Sequence, residues 1–99
     1  MGRLNVTPGD LAQVCRRNGI RRLSLFGSTL RGTDRSDSDI DLLVEFERGR
    51  TPGLLEIARI EAEFSTLLGG RRVDLRTPED LSRYFRDEVI RTAEVQFAS

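Results

Sequence analysis

The sequence predicts an α/β (α+β) fold in which a small mixed β-sheet is flanked by helices. Two observations support this class. Apolar segments of strand length alternate with segments of helical periodicity, and the elements follow the order α-β-(short α)-β-α-β-α. The 99 residues suffice for one modest hydrophobic core, so we expect a single domain over residues 1–99.

The first helix is predicted from its start signal. Thr7-Pro8-Gly9-Asp10 combines a hydroxyl N-cap, a proline in the first turn and an acidic residue near the positive end of the helix dipole. Asn18-Gly19 is a typical helix end. A short strand over residues 22–26 follows and leads directly into Gly27-Ser28. The expected buried face of the helix comprises Leu11, Val14 and Cys15.

Residues 39–46 form the strongest strand pattern in the chain. Even-numbered positions are apolar, whereas odd-numbered positions carry three acids and one leucine. Polar loops over residues 32–38 and 48–53 flank this strand, and a helix is predicted from about residue 54 to residue 68. Its expected inward face comprises Leu54, Ile57, Ala58, Glu61, Phe64, Leu67 and Leu68.

The last third of the chain predicts one strand and one helical region. Gly69-Gly70 ends the long helix, and residues 71–76 form a strand with Asp74 between two apolar residues. Thr77-Pro78 repeats the helix-start signal and predicts a terminal helical region that extends towards Phe97, with a break near Tyr84-Phe85.

Composition excludes several classes of chemistry. All sixteen basic residues are arginine, and the absence of histidine removes Ser–His and Cys–His catalysis and imidazole metal sites. The formal net charge of zero gives no support to direct nucleic-acid binding. No apolar segment predicts export or a membrane span, and the lone Cys15 allows no internal disulfide. We therefore expect a cytoplasmic protein in which Cys15 is a small buried hydrophobe.

Three aspartates are candidate metal ligands. Asp39 and Asp41 lie two residues apart on one strand, so both carboxylates project from one face, about 7 Å apart along the backbone. Asp74 joins them if its strand is the neighbouring one. Three carboxylates can hold two magnesium ions roughly 3.5–4 Å apart, an arrangement that activates an attacking oxygen and stabilises leaving pyrophosphate. An isolated Asp-x-Asp pair is more often an ordinary solvated strand face.

Gly27-Ser28 is a candidate phosphate site. A strand that ends in glycine and serine and turns into a short helix presents backbone N–H groups and a hydroxyl to an anion. Glycine also lets the backbone approach a phosphate closely. An isolated Gly-Ser after a strand is usually an ordinary turn, so the two candidates gain weight only from their fixed spacing.

That spacing resembles a known pattern. Gly27-Ser28, ten further residues and then Asp39-x-Asp41 are similar to the motif of the DNA polymerase beta-like nucleotidyltransferase superfamily. The longer segment through Phe46 resembles the minimal nucleotidyltransferases of prokaryotes, which have about this length. Arg31-Gly32 matches a common Ala-Arg-Gly of that group, with Leu30 in place of the alanine.

The resemblance implies a polymerase beta palm-like fold and a role for each motif residue. Gly27 and Ser28 would hold the triphosphate of ATP, and Arg31 would either contact phosphate or brace the loop. The metal ligands for two magnesium ions would be Asp39, Asp41 and Asp74. Asp74 would also assist deprotonation of the acceptor hydroxyl, which attacks the α-phosphorus of ATP and releases pyrophosphate.

The resemblance also implies a partner. Minimal nucleotidyltransferases are typically encoded beside a HEPN-domain ribonuclease toxin, and act as the antitoxin by adenylylating a tyrosine of that toxin. Three hypotheses stay open: such a protein adenylyltransferase, a non-catalytic antitoxin or binding subunit, and a nucleotidyltransferase for a small molecule or an RNA end that needs a separate substrate subunit. Helix 54–68 and the terminal helix are candidate interfaces for a homo- or hetero-oligomer.

Overall fold

The computed structural model describes residues 6–27 and 39–99. Within them, four strands form one mixed sheet in the order β3-β2-β1-β4, in which β1 is antiparallel to both its neighbours and β2 is parallel to β3. The predicted α/β class is therefore confirmed. The strands are β1 (Ile20–Leu25), β2 (Ile40–Phe46), β3 (Val73–Arg76) and β4 (Glu94–Ala98). The helices are α1 (Pro8–Arg17), α2 (Leu54–Leu67), α3 (Arg86–Thr92) and the 3₁₀ turn Pro78–Asp80.

Helix α1 begins and ends as its sequence predicts. The backbone N–H of Asp10 donates to the Thr7 hydroxyl at 3.3 Å, which confirms the N-cap. Asn18 is the C-cap, and Gly19 follows with φ 68° in the left-handed region, where a Cβ would also overlap the Arg50 guanidinium. β1 starts immediately afterwards, two residues earlier than the apolar pattern indicates.

The hydrophobic core lies on one face of the sheet, under α1 and α2. Strand alternation sends Leu23 and Leu42 to this face, where both are fully buried. Cys15 packs in the same core, and burial raises the pKa of its thiol to about 12, partly opposed by the nearby Arg16 charge. The prediction of an unreactive buried cysteine is consistent with this environment.

Helix α2 matches its predicted bounds within one residue, but its inward face is narrower than predicted. Ile60 and Phe64 are buried, whereas Leu54 and Ala58 are exposed. At about 100° per residue, a stripe centred on Ile60 and Phe64 leaves Leu54 and Ala58 on its flank. The prediction that those two residues face the core is wrong.

The predicted terminal helical region is confirmed in its middle, where helix α3 follows the predicted break near Tyr84-Phe85, and is wrong at its two ends. The Thr77-Pro78 signal opens only a 3₁₀ turn, because the backbone of Leu81 is extended. Helix α3 buries none of its residues, and residues 94–98 form strand β4 against β1. The physical reason is that side chains alternate between the two faces of a strand. As part of β4, Phe97 pairs with Leu23 and packs in the core, and a helix could not form this pairing at the edge of the sheet.

Membrane-spanning character is not seen in the described helices. None of those within residues 6–27 and 39–99 is long and apolar enough to cross a bilayer.

Candidate active site

Gly27 lies where the chain leaves β1, next to the start of β2. The Phe26 N–H donates to the Asp41 carbonyl oxygen at 3.2 Å, which holds this segment beside β2. Gly27 has φ 70°, and a Cβ built on it would overlap the Asp41 carboxylate. Only glycine meets both demands, so the first half of the motif touches the second directly. Ser28 and Arg31, predicted with it, lie outside the described residues.

Asp41 and Asp74 lie side by side. Strands β2 and β3 are parallel neighbours, with Asp41 and Asp74 as direct Cα partners, so the condition on which Asp74 joins the site is met. Neighbouring strands are about 4.8 Å apart. Both side chains alternate away from the helices, because their flanking residues face the core. The strand pairing and this alternation place the two carboxylates at one level on the sheet face opposite α1 and α2. Both residues are half-buried.

Asp39 lies just before β2 and is more exposed. Its carboxylate lies 3.9 Å from the Arg72 Nε. The Ile40 N–H donates to the Arg72 carbonyl oxygen at 2.8 Å, which fixes the entry of β2 against the entry of β3. Asp39 is thus held near the other two aspartates by the same strand pair, but its carboxylate points to a surface arginine.

Arg76 is a site residue that the sequence patterns did not reveal. Its Nε lies 3.1 Å and 3.2 Å from the two carboxylate oxygens of Asp74. The signal was available: residues two apart on a strand share a face, so an arginine two positions after a candidate aspartate is its natural counter-charge. The contact fixes the orientation of the Asp74 carboxylate and reduces its repulsion with Asp41.

Glu61 of α2 is a second residue with an unexpected role. Its Oε2 accepts a hydrogen bond from the backbone N–H of Leu75 at 2.8 Å. Because β3 is an edge strand, this N–H has no partner strand on its outer side. Glu61 therefore ties α2 to the residue after Asp74 and helps to hold β3 in position.

The donor set fits magnesium. Asp39, Asp41 and Asp74 offer only carboxylate oxygens, and Gly27 leaves the Asp41 carboxylate the space that a Cβ would fill. Among residues 6–27 and 39–99 no three acidic, histidine or cysteine side chains converge on one point as they stand, because Asp74 and Asp39 are turned towards arginines.

Comparison with known proteins agrees with this geometry. Residues 11–97 match the family model of the nucleotidyltransferase domain. The chain belongs to this family. Protein adenylyltransferase MntA of Thermococcus cleftensis is 40% identical over 75 residues, which cover 76% of this chain and 73% of that protein. Membership makes the chain a nucleotidyltransferase, as the resemblance implied.

Solved structures share the fold. A candidate minimal nucleotidyltransferase is 43% identical, covers 87% of this chain and 85% of its own, and superposes with a TM-score of 0.71. A chain from the complex of the tri-AMPylated Shewanella oneidensis HEPN toxin with its MNT antitoxin is 18% identical, covers 93% of this chain and 70% of its own, and has a TM-score of 0.65. At that identity the second likeness concerns the fold.

Proposed function

We propose that this nucleotidyltransferase moves AMP from ATP onto a tyrosine hydroxyl of a HEPN-domain toxin and thereby acts as its antitoxin. The observation that carries the proposal is the contact of Gly27 with Asp41 and the pairing of Asp41 with Asp74. A triphosphate site after β1 and a carboxylate site on β2 and β3 then meet on three neighbouring strands. Residues 1–99 act as one catalytic domain, in the cytoplasm, where ATP is available.

The chain's own residues have distinct roles in this reaction. Gly27 and Ser28 bind the triphosphate through backbone N–H groups and the serine hydroxyl, and Arg31 adds a positive charge beside them. Asp39, Asp41 and Asp74 would hold two magnesium ions, which would neutralise charge on the phosphates.

Asp74 acts as the general base. A carboxylate oxygen of Asp74 accepts the proton of the acceptor hydroxyl as the hydroxyl oxygen bonds to the α-phosphorus and pyrophosphate leaves. Arg76 orients that carboxylate before metal and nucleotide bind. Because Asp74 and Asp41 are adjacent, the acceptor oxygen and the nucleotide meet over neighbouring strands, which provides the alignment that in-line displacement requires.

The protein acceptor is supported by the relatives rather than by the site. MntA of Thermococcus cleftensis carries the name of a protein adenylyltransferase, and the Shewanella oneidensis complex joins an AMPylated HEPN toxin to an MNT antitoxin. The neutral net charge of the present chain favours a protein over an RNA acceptor.

Radiolabel transfer tests the proposal. The chain is incubated with magnesium, ATP labelled on the α-phosphate and the product of the neighbouring gene, which we expect to be a HEPN-domain protein. We expect label on that protein, located on a tyrosine by mass spectrometry, and loss of its ribonuclease activity. Label on no molecule would mean a non-catalytic antitoxin, and label on a small molecule or an RNA end would mean a different acceptor. Either result overturns the proposal.

A further inference from the structure

A groove of about 740 Å³ opens beyond the site, at the end of the sheet where β2 and β3 terminate. The loop that enters α2 forms one wall with Pro52 and Leu54, and the 3₁₀ turn forms another with Pro78. Phe46, the last residue of β2, and Asp74 both contribute to its lining. The groove is large enough for several side chains of another molecule.

The groove approaches the site from the acceptor side. Asp74 lines it, whereas Gly27 and Asp41 do not. The triphosphate is assigned to the Gly27 end, so a nucleotide and a groove occupant reach Asp74 from opposite directions. The lining includes Leu54 and Ile57 on the α2 side and Asp74 and Arg76 on the opposite side of β3, so the groove crosses the end of the sheet. A molecule that follows it across this end reaches Asp74 without displacing the nucleotide.

The start of α2, beside the groove, exposes two large apolar side chains. Its N-cap, Gly53, and its first-turn acid, Glu56, are ordinary for a helix N-terminus. Leu54 and Leu55 follow in the first turn and are 89% and 90% exposed, where polar or acidic residues are usual. Local rules are typically broken at functional sites. Of the two leucines, only Leu54 lines the groove.

The groove lining carries three arginines and four acidic residues, so positive charge is not in surplus there. Arg21 pairs with Glu45 at 2.8 Å, and Arg76 pairs with Asp74 at 3.1 Å. Proteins that bind nucleic acid place an excess of arginine and lysine side chains along the phosphate backbone. The described part of the groove has no such excess. Recognition then depends on the apolar wall, which fits a protein segment with an apolar side chain.

We propose that this groove docks the segment of the acceptor protein that carries the modified hydroxyl, with an apolar side chain of that segment seated on Leu54. This inference rests on the proposed function for the identity of the acceptor, and it assigns the surface that recognises it. The occupant is a polypeptide, held by apolar contact at Leu54 and delivering its hydroxyl to Asp74.

The adjacent leucines provide a matched pair of variants. Leu54→Asp and Leu55→Asp introduce the same charge at equally exposed positions in one helical turn, where aspartate favours the helix dipole. Both variants should fold as the wild type does. Only Leu54→Asp places an uncompensated carboxylate in the groove.

Binding and transfer are measured with the HEPN protein encoded beside this chain. We expect Leu54→Asp to raise both the Kd in titration calorimetry without ATP and the KM for that protein by at least about tenfold. Leu55→Asp should stay within about twofold, and both variants should bind a fluorescent ATP analogue as the wild type does. Unchanged partner binding by both variants, or equal weakening by both, contradicts the proposal.

Two further outcomes separate this inference from the proposed function. Wild-type protein that binds the HEPN partner but transfers no AMP defeats the proposed function, while the Kd values of the two variants still decide whether the groove docks the partner. An oligouridine RNA that binds the wild type and loses affinity with Leu54→Asp alone would assign the groove to nucleic acid and overturn the inference.

Discussion

The two faces of the sheet are built by different forces. The face under α1 and α2 is apolar, and its central residues Leu23, Leu42 and Val44 are fully buried. The opposite face of the same strands carries Asp41 and Asp74, which are half-buried and paired across β2 and β3. Alternation along one strand therefore places packing and chemistry one residue apart.

This difference teaches how a 99-residue chain supports a charged site. Burial on one face fixes the register of the strands, because a slip of one residue would turn the apolar set outwards. The same register brings Asp41 level with Asp74 on the other face. Substitutions on the chemical face should then reduce activity with little loss of stability, and substitutions on the packed face should do the reverse.

The largest expected effect is that of Asp41→Asn. This variant removes one charge and one metal ligand, and we expect AMP transfer to fall by about 10³-fold or more while the thermal midpoint stays close to that of the wild type. Initial rates of label transfer and circular dichroism measure the two quantities. Asp10→Asn removes the same charge from exposed α1 and should transfer AMP normally. Full activity of Asp41→Asn would exclude it from the site.

Phe64→Ala tests the packed face. Phe64 is 0% exposed in the core, so its truncation should lower the free energy of unfolding by about 3–5 kcal/mol. Urea denaturation gives the value. Leu55→Ala, at an exposed position, should change it by less than about 0.5 kcal/mol. Similar values for the two variants would show that α2 does not close the core.

Gly27→Ala tests the junction of the two motifs. The added Cβ overlaps the Asp41 carboxylate and strains a backbone at φ 70°, so activity should fall by about 100-fold through displacement of Asp41. Gly49→Ala is the matched control, because Gly49 has φ 86° and a Cβ added there would meet no atom within 4 Å. Both variants should lose about 1–2 kcal/mol of folding stability, because each puts a Cβ on a backbone with positive φ. Gly49→Ala should nevertheless keep its activity. Equal activity of the two variants would contradict a functional role for the close contact between Gly27 and the Asp41 carboxylate.

The smallest effect near neutral pH is that of Cys15, because its pH dependence begins only above pH 9. Its thiol has a pKa near 12 when folded and an ordinary value near 9 when unfolded, so the unfolded state binds fewer protons between these pH values. Stability should therefore be complete below pH 9 and fall as pH rises towards 12, by up to about 1.4 kcal/mol per pH unit. Urea denaturation of the wild type and Cys15→Ala compares the two slopes. Equal slopes of stability against pH in the two proteins would exclude the Cys15 thiol as the cause of the pH dependence.

Much of this organisation was predictable from the sequence. The spacing of Gly27 and Asp41 and the apolar flanks of Asp74 placed both aspartates on the polar side of a strand, because local patterns determine which side chains share a face. That the two strands are neighbours was only a condition of the prediction, and the sheet meets it. The partnership of Arg76 with Asp74 and of Glu61 with the β3 edge depends on contacts between elements. β4 was missed because Val95 and Phe97 alternate over too few residues to outweigh the helix-start signal at Thr77.

Paramagnetic NMR tests the central claim most directly, since it needs no acceptor. Manganese added to ¹⁵N-labelled protein should broaden the amide signals of Asp39, Asp41 and Asp74 selectively, and Asp41→Asn should weaken that broadening strongly. Signals of α1, on the other face, should persist in both proteins. Broadening that is absent, or that survives Asp41→Asn unchanged, would contradict a metal site on the Asp41–Asp74 face.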